Sequence, residues 1–207
     1  MEEKQCFEFA GATPSIFDPS TKLPYKEDSL IRPSSPYGAA KAAGEAYCVA
    51  YHRSYGLDTR IARIYNVYGE GVDRFIVFDF IQKLLNKPSQ LEILGTGHQI
   101  RDFLHIDDLV DGLMLIASKG SPGEDYNLAS GQEVKIIELA KKIAVLTGQA
   151  DISILPTGQS WPGDILAWYA DISKIERLGF KVKTDLESGL RKTIAWILSK
   201  KAETVLR

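Results

Sequence analysis

Ser34-Ser35-Pro36-Tyr37-Gly38-Ala39-Ala40-Lys41-Ala42-Ala43-Gly44-Glu45 is the stretch from which the rest of the chain is read. It opens a helix. Serine is a preferred N-cap, and proline at the first helical position gives up only an N–H that would lack a partner anyway. Tyr37 and Lys41 are four residues apart, so both rise from one helical face. A phenol ordinarily titrates near about pH 10, and an ammonium beside it favours the phenolate. A tyrosine so placed can pass a proton near neutral pH, as a general acid or base must. A bare Y-x-x-x-K is equally two side chains on an ordinary amphipathic helix, so the surroundings decide. The helix is expected to run to about residue 54, kept slim by Ala42, Ala43, Ala46, Val49 and Ala50, and to stop at Gly56-Leu57-Asp58.

Downstream, the β-branched run 59–64 reads as a strand and Tyr65-Asn66-Val67-Tyr68-Gly69 as the turn leaving it. Residues 75–85 carry apolar side chains on a helical period. Residues 91–94 read as a strand, Gly95-Thr96-Gly97 as a hairpin-like turn and 100–104 as the return strand. Asp107 is expected to cap a helix to about residue 118, and 125–128 to form the next strand. A helix with Ile136, Ile137, Leu139, Ala140, Ile143 and Leu146 follows, then an edge-type strand at 152–155. Trp161-Pro162-Gly163-Asp164 leads to a last helix over 185–200 and a charged tail. Upstream, 6–10 reads as a strand and Gly11-Ala12-Thr13-Pro14-Ser15 as a turn.

Composition sets bounds on function. With 25 basic and 27 acidic residues the net charge is −2, which argues against a dedicated nucleic-acid surface or a polybasic membrane surface. No apolar run of about 18 residues is present to span a bilayer, and no signal peptide is seen. Cys6 and Cys48 have neither metal nor disulfide spacing, which fits a reducing cytoplasm. His52, His98 and His105 are scattered, so no metal site is proposed.

Five motifs stand in order: the Tyr37/Lys41 helix, Asn66-Val67-Tyr68-Gly69, residues 95–103, Asp107-Asp108 and residues 161–164. In these the chain resembles the extended short-chain dehydrogenase/reductase family, and within it the nucleotide-sugar epimerases and dehydratases, UDP-glucose 4-epimerases above all. The resemblance implies an α/β fold: the C-terminal part of a Rossmann-type parallel sheet plus a smaller α/β substrate-binding lobe. Residues 1–70 would hold the remainder of the NAD-binding domain with the catalytic helix. Residues 71–207 would be mainly the nucleotide-sugar lobe, interleaved with the Rossmann part. Family members begin with a glycine-rich turn that seats the NAD pyrophosphate. No G-x-x-G-x-x-G occurs here, so about the first hundred residues of a complete member are expected to be missing.

The family's site residues carry over one by one. Tyr37 would exchange a proton with the sugar C4 hydroxyl, and Lys41 would tune it and hold the nicotinamide ribose of NAD. Ile64 would line the nicotinamide pocket. Asn66 would hydrogen-bond the nucleotide sugar, and Phe103 would help hold the base. Arg101 resembles the diphosphate-binding arginine, a task suited to a guanidinium fork; a salt bridge to Asp102 or Asp107 is the alternative. Asp164 would hold a ribose hydroxyl. Trp161 stands where many members place a second arginine. The family's substrate-binding hydroxyl falls on Ala12; Thr13 is next door and either supplies it or is a plain turn residue. Related dehydratases carry an Asp-Glu pair at this turn. Ala12-Thr13-Pro14 has no carboxylate, which favours epimerisation of a UDP-hexose over elimination.

The competing expectation is a non-catalytic or truncated nucleotide-sugar-binding chain that needs a separate NAD-binding chain. The absent glycine turn and Ala12 favour an isolated chain without activity, whereas the Tyr37/Lys41 pair favours an epimerase lineage. A 4,6-dehydratase or reductase is the third reading, and a homodimer through the long helix is expected.

Overall fold

The computed structural model describes residues 13–86, 88–159 and 164–205. The strand expected at 6–10, the Ala12 position and Trp161-Pro162-Gly163 lie outside the described residues. The first element among the described residues is a 3-10 turn, Pro14–Ile16, capped by Thr13. Helix α1, Pro36–Tyr55, begins as read: the Ser35 Oγ accepts from the Gly38 N–H at 3.1 Å. It ends at Gly56, whose φ of 67° is the left-handed conformation that glycine adopts without a Cβ clash.

Strands β1 (Ile61–Ile64) and β2 (Asn66–Tyr68) follow, then α2 (Phe75–Leu85) and β3 (Gln90–Ile93). Next come β4 (Ile100–Arg101), β5 (Phe103–His105), α3 (Ile106–Lys119), β6 (Asp125–Leu128) and β7 (Val134–Lys135). The chain finishes with α4 (Ile136–Leu146), β8 (Ser153–Pro156), α5 (Ser173–Glu176) and α6 (Leu186–Val205). The strands form parallel pairs β1–β6, β2–β5 and β3–β8 and one antiparallel pair, β4–β7. The fold is α/β.

Three expectations are corrected. Gly95-Thr96-Gly97 does not close a hairpin: β3 pairs in parallel with β8, while β4 pairs with β7. The cap of α3 is His105, whose Nδ1 accepts from the Asp107 N–H at 3.3 Å, so Asp107 sits inside the first turn. The charged tail continues as helix to Val205.

Two apolar clusters hold the layers together. One joins α2, α4 and α6 over β3 through Phe80, Ile81, Leu84, Leu139, Ile143 and Leu190. The other joins α3 and Phe180 to β1, β5 and β6 through Ala62, Leu104, Ile116 and Leu128. Between them the chain changes partners. The Tyr65 N–H donates to Leu128 O, beside β6, but the next N–H, of Asn66, donates to Asp102 O, beside β5. A strand that leaves one neighbour for another opens a crevice at the switch, the usual seat of ligands in open α/β sheets.

Candidate active site

At that switch lies a cavity of about 640 Å³. Its lining brings together Thr13, Tyr37, Ile64, Asn66, Arg101, Phe103 and Asp164. Lys41 is not in the lining; its Nζ lies 5.6 Å from the centre of the Tyr37 ring. Tyr37 is 58% exposed, held by the first turn of α1 at the cavity. That turn is seated by Gly38, where a Cβ would collide with the Ser15 carbonyl oxygen. Thr13, at the start of the 3-10 turn, has its Oγ1 3.4 Å from the Ser15 Oγ.

The opposite side is built from buried polar groups. The Arg101 Nη2 donates to Asp164 Oδ1 at 2.9 Å, and Nη1 donates to its own strand at Ile100 O at 2.8 Å. The guanidinium lies 3.8 Å from the Trp168 ring centre, a stacked cation–π contact. Burial lowers the Arg101 pKa from its ordinary value, and Asp164 opposes that shift. Neither Asp102 nor Asp107 pairs with Arg101. The Asp102 carboxylate, fully buried, instead accepts from Ser130 N and Oγ at 2.8 and 2.6 Å, Gly131 N at 2.9 Å and Ala170 N at 3.3 Å. Its carbonyl accepts from the Asn66 side chain at 2.9 Å. Asp102 therefore fixes both strand neighbours that reach the cavity, Arg101 and Phe103, and the strand opposite them. Asp107 pairs with Lys192 at 3.3 Å.

Sequence reading passed over several lining residues. Trp168 covers Arg101, and its buried Nε1 has no acceptor among the described residues. Tyr65, at the partner switch, has a buried hydroxyl without a hydrogen bond among the described residues, and burial, with the Asp102 charge, pushes its pKa well up. Phe75 starts α2 with φ 70°, the one non-glycine residue with positive φ among the described residues, and is 62% exposed. For a bulky side chain that conformation is a strained one.

Chemically, one cavity thus offers a phenol able to exchange a proton, a hydroxyl, a guanidinium whose carboxylate partner an anion could replace, and apolar walls. For a dinucleotide the fit is partial. Tyr37 and Ile64 line the cavity and Lys41 stands beside the Tyr37 ring, an amine and a phenol able to bond ribose hydroxyls, while no strand-to-helix turn among the described residues carries three glycines three apart for a pyrophosphate. Among the described residues no helix is long and apolar enough to cross a membrane.

Known proteins give this geometry a lineage. A dTDP-glucose 4,6-dehydratase of Streptomyces griseus is 34% identical over 179 residues, 83% of this chain and 52% of that protein. Among solved structures, the dTDP-glucose 4,6-dehydratase of Streptomyces venezuelae with NAD bound superposes with a TM-score of 0.85 at 30% identity, over 93% of this chain and 60% of that one. The UDP-glucose 4-epimerase of Thermotoga maritima, with UDP-glucose, gives 0.82 at 28% identity, over 94% and 63%. This chain therefore spans between half and two thirds of these relatives' length. The signature of the NAD dependent epimerase/dehydratase family matches residues 5–129, from before the Thr13 turn to the end of β6, and the chain belongs to that family.

Proposed function

We propose that this chain serves an NAD-dependent nucleotide-sugar 4-epimerase acting on a UDP-hexose. The observation that carries the reading is the single cavity that gathers Tyr37 and Thr13 with Asn66, Arg101, Phe103 and Asp164. Arg101, released from Asp164, holds the diphosphate, and Asp164 then turns to a ribose hydroxyl. Phe103 and Trp168 supply apolar surface to the nucleoside, and Asn66 orients the sugar. Tyr37 takes the proton of the C4 hydroxyl as that carbon is oxidised and returns it after the 4-keto sugar has turned over, with Thr13 bonding the same oxygen. NAD, when bound, would supply the two-electron acceptor and donor at C4, and Lys41 and Ile64 are the residues that would hold its nicotinamide end. An isomerase of this kind, working in the cytoplasm as a dimer across the outward Tyr47 and Tyr51 of α1, completes the proposal.

Relatives named as dehydratases make elimination the second reading. It needs a further acid/base. The Thr13-Pro14-Ser15 turn offers no carboxylate; of the three carboxylates that line the cavity, Asp79 pairs with Lys83, Asp164 with Arg101, and Glu92 accepts from the Gln90 side chain at 3.3 Å, which leaves Glu92 as the candidate that elimination would have to use. A nucleotide-sugar binder that works with a separate NAD-binding chain uses the same cavity. Calorimetric titration of the chain with UDP-glucose and with NAD, followed by an assay of UDP-galactose against UDP-glucose, separates these readings. Binding of both ligands and interconversion that Tyr37→Phe abolishes is the expected result. UDP-glucose binding without NAD binding selects the two-chain reading, and binding of neither overturns the proposal.

A further inference from the structure

Tyr37, Lys41 and Glu45 stand four apart and so climb one side of α1. Burial inverts along that row, from 58% exposure at Tyr37 to 4% at Glu45. The buried residues of the twenty in α1 are Gly38, Glu45 and Cys48. Gly38 permits close contact with the 3-10 turn, and Cys48 packs in a small cluster with Ile61 and Val49. So narrow an apolar face fixes where the helix lies better than how it is turned about its axis.

Ala42 packs against the Ile16, Phe17 and Tyr25 cluster and Cys48 O accepts from the Thr59 hydroxyl, and Glu45 adds a directional constraint to these. Its Oε1 accepts from the Arg63 Nε at 2.9 Å and its Oε2 from Nη2 at 2.7 Å, the two-pronged geometry of a guanidinium fork. Arg63 is itself held on every side. It belongs to β1, next to the cavity residue Ile64; its Nη1 donates to Glu27 O at 2.7 Å and pairs with Asp125 of β6; and its guanidinium lies 5.1 Å from the Phe17 ring centre. Burial works against the Arg63 charge, but Glu45, Asp125 and Glu27 outweigh it and raise the pKa.

We infer that the Glu45–Arg63 pair is a positioning device: it sets the rotation of α1 about its axis and thereby aims Tyr37 into the cavity. The inference rests on the reading of Tyr37 as the proton-exchanging group. Magnitudes favour aim over stability. Replacing a whole buried ion pair with apolar side chains is often neutral for stability, whereas removing one partner alone destabilises by stranding the other charge; here Arg63 keeps Asp125 and the Glu27 carbonyl, which limits that loss. A turn of about 20° moves a group some 2 Å at the outer radius of a helix, and a misplacement of about 1 Å can cost roughly 10²-fold in rate.

The test uses the whole chain with 3-fluorotyrosine incorporated at position 37, read by fluorine NMR with and without UDP-glucose. Glu45→Gln breaks one prong of the fork, and Glu45→Met replaces it with an apolar side chain while Arg63 keeps Asp125 and Glu27. Both variants are expected to melt as cooperatively as the parent and to bind UDP-glucose within about 2-fold, because the Arg101 side is untouched. The ligand-free resonance at 37 is expected to shift or split in both, and its response to UDP-glucose to be lost. An unchanged ligand-free resonance in either folded variant overturns the inference. If the parent itself shows no response to UDP-glucose, the functional reading of Tyr37 fails, while the ligand-free spectra still judge the role of the pair.

Discussion

Arg101 and Tyr37 face one cavity and are held in opposite ways. Arg101 is bonded to Asp164, to its own strand and to the face of Trp168, and beside it Asp102 knits three segments together. Tyr37 is mostly exposed, with one amine near its ring and a glycine contact beneath it. Groups that bind a ligand's fixed charges gain from being preorganised. A group that must hand a proton back and forth needs room and a definite aim. The two sides of this cavity answer those separate demands with separate means: many local bonds on one, one remote ion pair on the other.

The comparison is most exposed to failure at Asp102. Asp102→Asn puts an amide N–H₂ against backbone N–H donors, so a loss of about 2–4 kcal/mol in urea unfolding is expected. A loss below about 1 kcal/mol would mean that the buried side is not held as tightly as its bonds imply. Arg101→Lys keeps the charge and discards the fork and the stacked plane; UDP-glucose affinity is expected to fall about 10–100-fold by calorimetry. Tyr37→Phe, on the open side, is expected to change stability by less than about 0.5 kcal/mol. A larger loss would erase the contrast.

The gentlest probe is pH. Burial raises the Glu27 pKa despite the hydrogen bond it accepts from Asn127 N at 2.9 Å. The folded chain therefore holds this proton more tightly than the unfolded one, and the stabilisation it brings is present at acid pH and lost as pH rises through the folded pKa. Glu27→Gln is expected to gain stability relative to the parent at pH 8 and to lose that advantage by about pH 3, below the ordinary glutamate range. An advantage that does not change with pH would show that Glu27 costs nothing by being buried.

Local chemistry was legible in the sequence, and distant pairing was not. Ser35-Pro36 and Gly56 announced both ends of α1, and the apolar period at 75–85 gave α2 residue for residue, because caps and periodicity act within a few positions. Seven residues carried over by resemblance, Thr13, Tyr37, Ile64, Asn66, Arg101, Phe103 and Asp164, do line one cavity. The alternative reading of Arg101, a salt bridge to Asp102 or Asp107, names its neighbours in sequence, whereas the carboxylate it meets, Asp164, lies on another segment. Trp168 carries no local signal, and Tyr65 reads only as a turn residue, for the same reason: what makes them part of the cavity is packing against segments far away in the chain.

The strand pairs carry a consequence for how the chain reaches this state. Ile61 finds Asp125, Asn66 finds Phe103 and Gln90 finds Ser153, and no two consecutive strands form a hairpin among the described residues. Every ladder must close a long loop before its first bond is rewarded, which slows folding and leaves apolar strands waiting. Helices, whose bonds are local, are expected to form before these ladders, and the cavity, which exists only where two ladders part company, to follow them.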